Sequence, residues 1–178
     1  MIARTLTLGV AVATLMSTGA FAADLYSGTP ATDLYSSPMF NFEGAYAGVQ
    51  GGGYWGTING PSVTGWNLDL VAGVNFAVTD LFLAGVEFQG GVMWPESGWK
   101  WDMLGLGRVG VQVTDGIMAY GAAGLGNVAG DGVYAFGGGV EVATFNSISV
   151  RGEVLGMANW GQGPSAAKAT AGVLFHFN

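Results

Sequence analysis

VYAFGGGVEVATFNSISVRGEVLG, residues 133–156, separates into two unlike faces when read with a period of two. Tyr134, Phe136, Gly138, Val140 and Val142 fall on one face, which continues after a turn at Phe145-Asn146-Ser147 with Ile148, Val150 and Val154. Gly137, Gly139, Glu141, Ala143, Ser149, Arg151 and Glu153 fall on the other. Alternation sustained over runs of this length signals strands, and the turn residues between them make a hairpin. With Asn146 at the tip, Glu141 lies opposite Arg151, an acid beside a base within cross-strand reach. The apolar face is unbroken, but alternation alone does not say whether it points to a core or to lipid.

Composition decides. Charged residues make up 10% of the 178, hydrophobic ones 50%, and mean hydropathy is +0.42. A soluble domain carries about 25% charge, so a water-facing surface is poorly provided for. Outside the N-terminus no run of about 18 apolar, uncharged residues occurs, which argues against helical membrane spans. High hydrophobicity without a long run is what a membrane barrel of strands produces, because lipid-facing and interior residues alternate. Cysteine is absent, which removes disulfides, thiolate metal sites and thiol nucleophiles. Net charge is −7, or −8 once Arg4 leaves with a leader, so nucleic acid is not an expected partner.

In chain order, residues 1–22 read as a cleavable signal peptide: Arg4 in the n-region, an apolar run over 6–16, and Ala20-Phe21-Ala22 as the small-x-small cleavage site. Residues 23–41 repeat Asp-Leu-Tyr-Ser at 24–27 and 33–36, with Pro30 and Pro38 between and after. They read as a short flexible tail. From residue 42 to 178 about eight strands follow, near 43–55, 66–79, 81–94, 99–114, 117–128, the hairpin, and 166–177. Each is close to the ~10 residues a tilted membrane strand needs. Connections alternate in kind. Those at 79–80, 114–116 and 145–147 are tight, whereas 56–65, 95–98, 129–132 and 158–165 are longer and richer in Gly, Pro or Asn. Short turns on one side and longer loops on the other are the habit of outer-membrane barrels.

Aromatic residues supply a separate test. Trp55, Trp66, Trp94, Trp99, Trp101 and Trp160 all sit beside a longer connection. An indole prefers the interface, ring in apolar surroundings and N–H near water, so the six mark one outer rim. Phe42, Phe76, Phe82, Phe145, Phe175 and Phe177 gather at the opposite ends. A soluble barrel has no reason to sort aromatics into two bands. The fold expected is all-β: an eight-stranded antiparallel up-and-down transmembrane β-barrel.

Phe42-Glu43-Gly44-Ala45-Tyr46-Ala47-Gly48, then Gly137-Gly138-Gly139-Val140-Glu141 and Ser149-Val150-Arg151-Gly152-Glu153, carry a family resemblance. They resemble the small OmpA-like outer-membrane β-barrel proteins of alphaproteobacteria, the RopB-type group, over roughly residues 42–178. The resemblance implies a surface-located eight-stranded barrel serving as an envelope component. It also implies a terminal aromatic strand, here Phe175 and Phe177, as the insertion signal; Asn178 after Phe177 departs from the family's usual terminal Phe. Expected partners are outer-membrane lipid and lipopolysaccharide, with the barrel-assembly machinery during insertion; weak self-association stays open.

The inner faces collect Asp69, Glu87, Lys100, Asp102, Arg108, Glu141, Arg151, Glu153 and Lys168, five acids and four bases. Glu87 and Arg108 oppose each other if the third and fourth strands pair with Trp94 matched to Trp101. An eight-stranded interior is just wide enough for side chains, so these charges read as a salt-bridge network plugging the lumen. The alternative is a small ion- or solute-conducting pore, for which the inner glycines Gly48, Gly52, Gly73, Gly85, Gly137 and Gly139 leave room for water. A second alternative, a surface adhesin or partner-binding barrel, is disfavoured by the short outer loops. Catalysis is not expected. His176 is the sole histidine and reads as a hydrogen-bonding residue, the glycine runs lack the Lys-Ser/Thr and helix of a phosphate loop, and no cofactor or metal set is spaced for binding.

Overall fold

Strict alternation turns into a closed wall only if every strand has a partner on both edges, since an open edge in lipid leaves backbone groups unpaired. The computed structural model describes residues 40–57, 62–96 and 98–177; the expected signal peptide and most of the tail lie outside these. Eight strands follow in order, β1 (Gly44–Gly56), β2 (Val63–Ala77), β3 (Phe82–Pro95), β4 (Lys100–Thr114), β5 (Ile117–Val128), β6 (Asp131–Phe145), β7 (Ile148–Asn159) and β8 (Ala166–Phe177). Each pairs antiparallel with its sequence neighbours, and β8 closes on β1. No helix occurs among the described residues. The fold is an up-and-down β-barrel with its apolar face outward.

Barrel size follows from register. From Asn159 of β7, successive partners are Val133, Gly126, Leu104, Gln89, Val71, Gly48 and Leu174, and the circuit returns to β7 at Ser149, ten residues away. That stagger tilts the strands steeply and brings inward residues of distant strands to one level. All six tryptophans are exposed at one end, from 41% for Trp55 to 69% for Trp66. Phe76, Phe82, Phe145, Phe175 and Phe177 are exposed at the other, the end where β1 begins and β8 finishes. Trp66 and Phe76 lie ten residues apart on β2. At ~3.4 Å per residue and a tilt of about 40° this spans roughly 25 Å, the height of the apolar band of outer-membrane barrels.

Three features differ from the sequence expectation. Phe42 is not in the outward phenylalanine band: it is buried inside the terminal end together with Phe40, a residue of the expected tail. Its alternation parity, shared with Tyr46, is the reason. The connection at 129–132 is in fact a two-residue turn, Ala129 and Gly130, both left-handed (φ 56 and 99), the type I′ geometry whose twist suits a hairpin. Asn127 Oδ1 accepts from the Gly130 N–H at 2.9 Å to hold it. Lastly, β3 and β4 pair two residues away from the expected register: Val92, not Trp94, faces Trp101.

The inner glycines do not open space for water. A Cβ at Gly52, Gly124 or Gly137 would collide with a backbone carbonyl of the adjacent strand (Ala169, Gly105 and Val154 respectively). These are the corners at which a sheet of eight strands bends into a tight cylinder. The outward Gly105, in contrast, has nothing nearer to its Cβ position than 3.9 Å. Gly124→Ala should therefore cost about 1–3 kcal/mol, the range for overpacking, and Gly105→Ala close to nothing, as read by urea titration of the folded barrel in vesicles. Equal effects at the two positions contradict the bend.

Candidate functional site

Charge gathers inside because the outward parity of every strand is uncharged and, but for Thr64 and Asn127 near the tryptophan rim, mostly apolar or glycine. Inward parity places Tyr46 and Gln50 on β1, Asn67 and Asp69 on β2, Glu87 and Gln89 on β3. It places Asp102 and Arg108 on β4, Tyr120 on β5, Glu141 on β6, Ser149, Arg151 and Glu153 on β7, and Lys168 and His176 on β8.

Glu87 is the centre of this set. Its Oε2 accepts from Tyr46 OH at 2.6 Å, Arg108 Nη1 at 2.7 Å and Arg151 Nη1 at 2.6 Å. Arg108 Nη1 also donates to Tyr46 OH. Gln89 Nε2 bridges Glu87 Oε1 (2.8 Å) and Glu153 Oε1 (2.7 Å), and Tyr120 OH donates to Glu153 Oε2 at 2.8 Å. The Arg108 guanidinium lies 3.9 Å from the Tyr120 ring centroid, a desolvated cation–π contact. Towards the tryptophan end, Arg151 Nη2 donates to Gln50 Oε1 at 2.8 Å, and Gln50 Nε2 to Asp69 Oδ2 at 3.3 Å. Lys168 Nζ then joins Asp69 (2.9 Å) to Asp102 (3.0 Å). The polar chain is continuous along the lumen.

Eight of the nine charged residues assigned to the lumen from sequence, Asp69, Glu87, Asp102, Arg108, Glu141, Arg151, Glu153 and Lys168, are brought together there, each at most 4% exposed. Lys100 is not among them. It shares their parity but starts β4 at the tryptophan rim, where its side chain is exposed, since parity sets the face and not the depth. The lumen therefore holds five acids and three fixed bases. His176 stands beside the excess acid: its Nε2 is 2.7 Å from Glu141 Oε1.

Neighbouring in the sheet does not decide pairing. Glu141 and Arg151 are Cα partners, yet Arg151 reaches across to Glu87, and Glu141 takes Arg108 at 3.5 Å. Glu87 faces Leu106 rather than Arg108, which faces Gly85; that glycine and the diagonal offset give the guanidinium its reach. Sequence reasoning missed the tyrosines and amides that complete the network, although their inward parity was the available signal. It also missed the apolar part of the lumen filling, in which Leu104, Leu106, Ala122, Ala135, Leu155 and Met157 of β4 to β7 pack in one cluster between the charged groups.

Ser149, His176 and Glu141 meet at the terminal end, but not as a hydrolytic relay. Such a relay needs the serine on one imidazole nitrogen and the acid on the other. Here Nε2 faces both, Ser149 Oγ at 3.2 Å and Glu141 at 2.7 Å, and Ser149 itself donates to Glu141 Oε1 at 2.7 Å. His176 Nδ1 has no hydrogen-bond partner among the described residues. No group of three or more His, Cys, Asp or Glu suited to a metal occurs among the described residues.

No family model and no curated protein matches the sequence. Among solved structures, a de novo designed transmembrane β-barrel is similar at 18% identity and a TM-score of 0.50, over 78% of this chain and 100% of its own. Ail, the attachment invasion locus protein of Yersinia pestis, is 11% identical with a TM-score of 0.48, over 76% of this chain and 99% of its own. At 18% identity the likeness to the designed barrel is one of fold: the chain is built as a transmembrane β-barrel.

Removing one partner of a buried ion pair costs about 3–5 kcal/mol, because the other charge stays behind unpaired. Glu87→Gln takes from Arg151 its ion-pair partner and from Arg108 the nearer of two, and is expected to lose that much stability in a urea titration. Lys100→Gln, at the exposed rim, is expected to stay within about 0.5 kcal/mol. A tolerated Glu87→Gln contradicts the central role given to that carboxylate.

Proposed function

We propose that this chain is a non-enzymatic protein of the outer membrane, exported by a cleaved leader and exposed at the cell surface, which serves the envelope as a structural barrel with a plugged lumen. The observation that carries the reading is the burial of the interior charges. A conducting path keeps water beside its charges, whereas here the side chains of Glu87, Glu141, Arg151 and His176 are wholly enclosed. The motifs at residues 42–48, 137–141 and 149–153 support placing the chain with the RopB-type OmpA-like proteins.

Partners follow from the two rims. The tryptophan rim meets lipid and lipopolysaccharide headgroups, and Phe175 with Phe177 present the terminal strand to the assembly machinery. Among the described residues at the solvated ends, Lys100 is the one exposed base against the exposed acids Glu43, Asp80, Glu96 and Asp115, a charge pattern unsuited to nucleic acid.

Purified barrel reconstituted in planar bilayers is expected to give no stepwise conductance, and cells lacking it to become more sensitive to detergent. Discrete current steps altered by Arg108→Ala or Glu141→Ala would replace the plug with a small pore.

A further inference from the structure

The terminal end of the lumen is filled by residues that are not part of the wall. The β1 ladder begins at Gly44, paired with Asn75, and at Ala45, paired with Phe177. Gly44 has φ 100, a conformation that glycine adopts without the Cβ penalty, and the chain before it turns into the barrel mouth. Phe40 and Phe42 stack edge to face at 4.7 Å, and both present edges to the His176 ring, at 5.0 and 6.0 Å. They are 9% and 1% exposed. Asn75 Nδ2 donates to the Phe42 carbonyl at 2.9 Å. Below the rings lie Tyr46, 5.5 Å from His176, and the Ser149–Glu141–His176 cluster.

We propose that this end of the barrel is a binding vestibule for an extended peptide carrying two aromatic residues one position apart, and that the chain's own Phe40-Asn41-Phe42 occupies it as a stopper hinged at Gly44. The recognition is of two kinds. The imidazole offers a ring to the aromatic edges, and Asn75 reads a backbone carbonyl, which any peptide possesses. Underneath, Ser149 Oγ, Glu141 Oε1 and His176 Nε2 bond to one another while His176 Nδ1 has no hydrogen-bond partner among the described residues, so a departing stopper uncovers a polar surface that takes up water and leaves the wall intact. This goes beyond the plugged lumen of the proposed function, which resides in Glu87, Arg108 and Arg151 further in.

The chain lacks cysteine, so Ser149→Cys places a single thiol beside His176. In the full-length barrel a small charged thiol reagent should modify it slowly. Phe40→Ser with Phe42→Ser, and separately deletion of residues 23–42, should each speed modification at least tenfold while the heat-modifiable folded band persists on gels. A synthetic peptide of residues 37–44, added in excess to the deleted chain, should restore slow modification. Unchanged rates without the aromatic pair overturn the proposal. So does a deleted chain that no longer folds, because the segment is then core and not stopper, or a peptide that protects nothing. The deleted barrel should still be electrically silent; current steps there would count against the plug and not against the vestibule.

Discussion

One carboxylate, Glu87, holds donors from β1, β4 and β7 while itself sitting on β3. Of these, β1 and β7 share no ladder with β3, so the contacts cross the lumen and brace the cylinder from inside. The outer surface cannot do this work. Lipid is as apolar as the side chains it meets, so outward valines and phenylalanines gain little from one alignment over another. A slide of one residue would flip every side chain to the wrong face, but a slide of two keeps the faces intact. Selecting among two-residue slides falls to the interior, where a charge displaced by two positions loses its partner and remains buried.

The β3–β4 pair shows that selection. Matching Trp94 to Trp101 is reasonable from outside and aligns two indoles at the interface. The observed register places Gly91 between Asp69 on one side and Asp102 on the other. Both carboxylates then reach Lys168 from β8. Girdle tryptophans tolerate a shift along the axis because the interface is broad; a three-membered ion cluster does not.

What could be read from the residues follows the same division. Period-two alternation is a property of each strand, so strand number, order and faces are legible, even for β5, whose small residues blur the pattern. The β6–β7 register is legible because a tight turn at Asn146-Ser147 pins it, and Glu141 does face Arg151. Depth is not legible: Lys100 has the parity of a lumen residue and the position of a rim residue. Partnership is not legible either, since side chains pointing into a narrow cylinder converge on groups across it, and the distances involved depend on stagger, which appears only when the barrel closes. The glycines illustrate a third gap. A residue without a side chain reads as empty space in one dimension, yet at Gly52, Gly124 and Gly137 the neighbouring backbone has moved into that space.

An eight-stranded interior could in principle be filled with apolar side chains, and part of this one is, where Leu104, Leu106, Ala122, Ala135, Leu155 and Met157 pack together on β4 to β7. A wholly apolar lumen would remove the difference between the two faces of each strand, and either could then turn to lipid during insertion. Charge on the inward parity makes the inverted arrangement prohibitive, because an ion facing acyl chains costs several kcal/mol with no partner to offset it. Replacing a buried ion network by apolar side chains can leave stability unchanged or raise it. The network is thus better understood as specifying which way the wall faces and in what register it closes than as the main source of the barrel's stability. The apolar cluster contributes packing, and the ion pairs interleaved with it on the same strands and across the lumen supply the information.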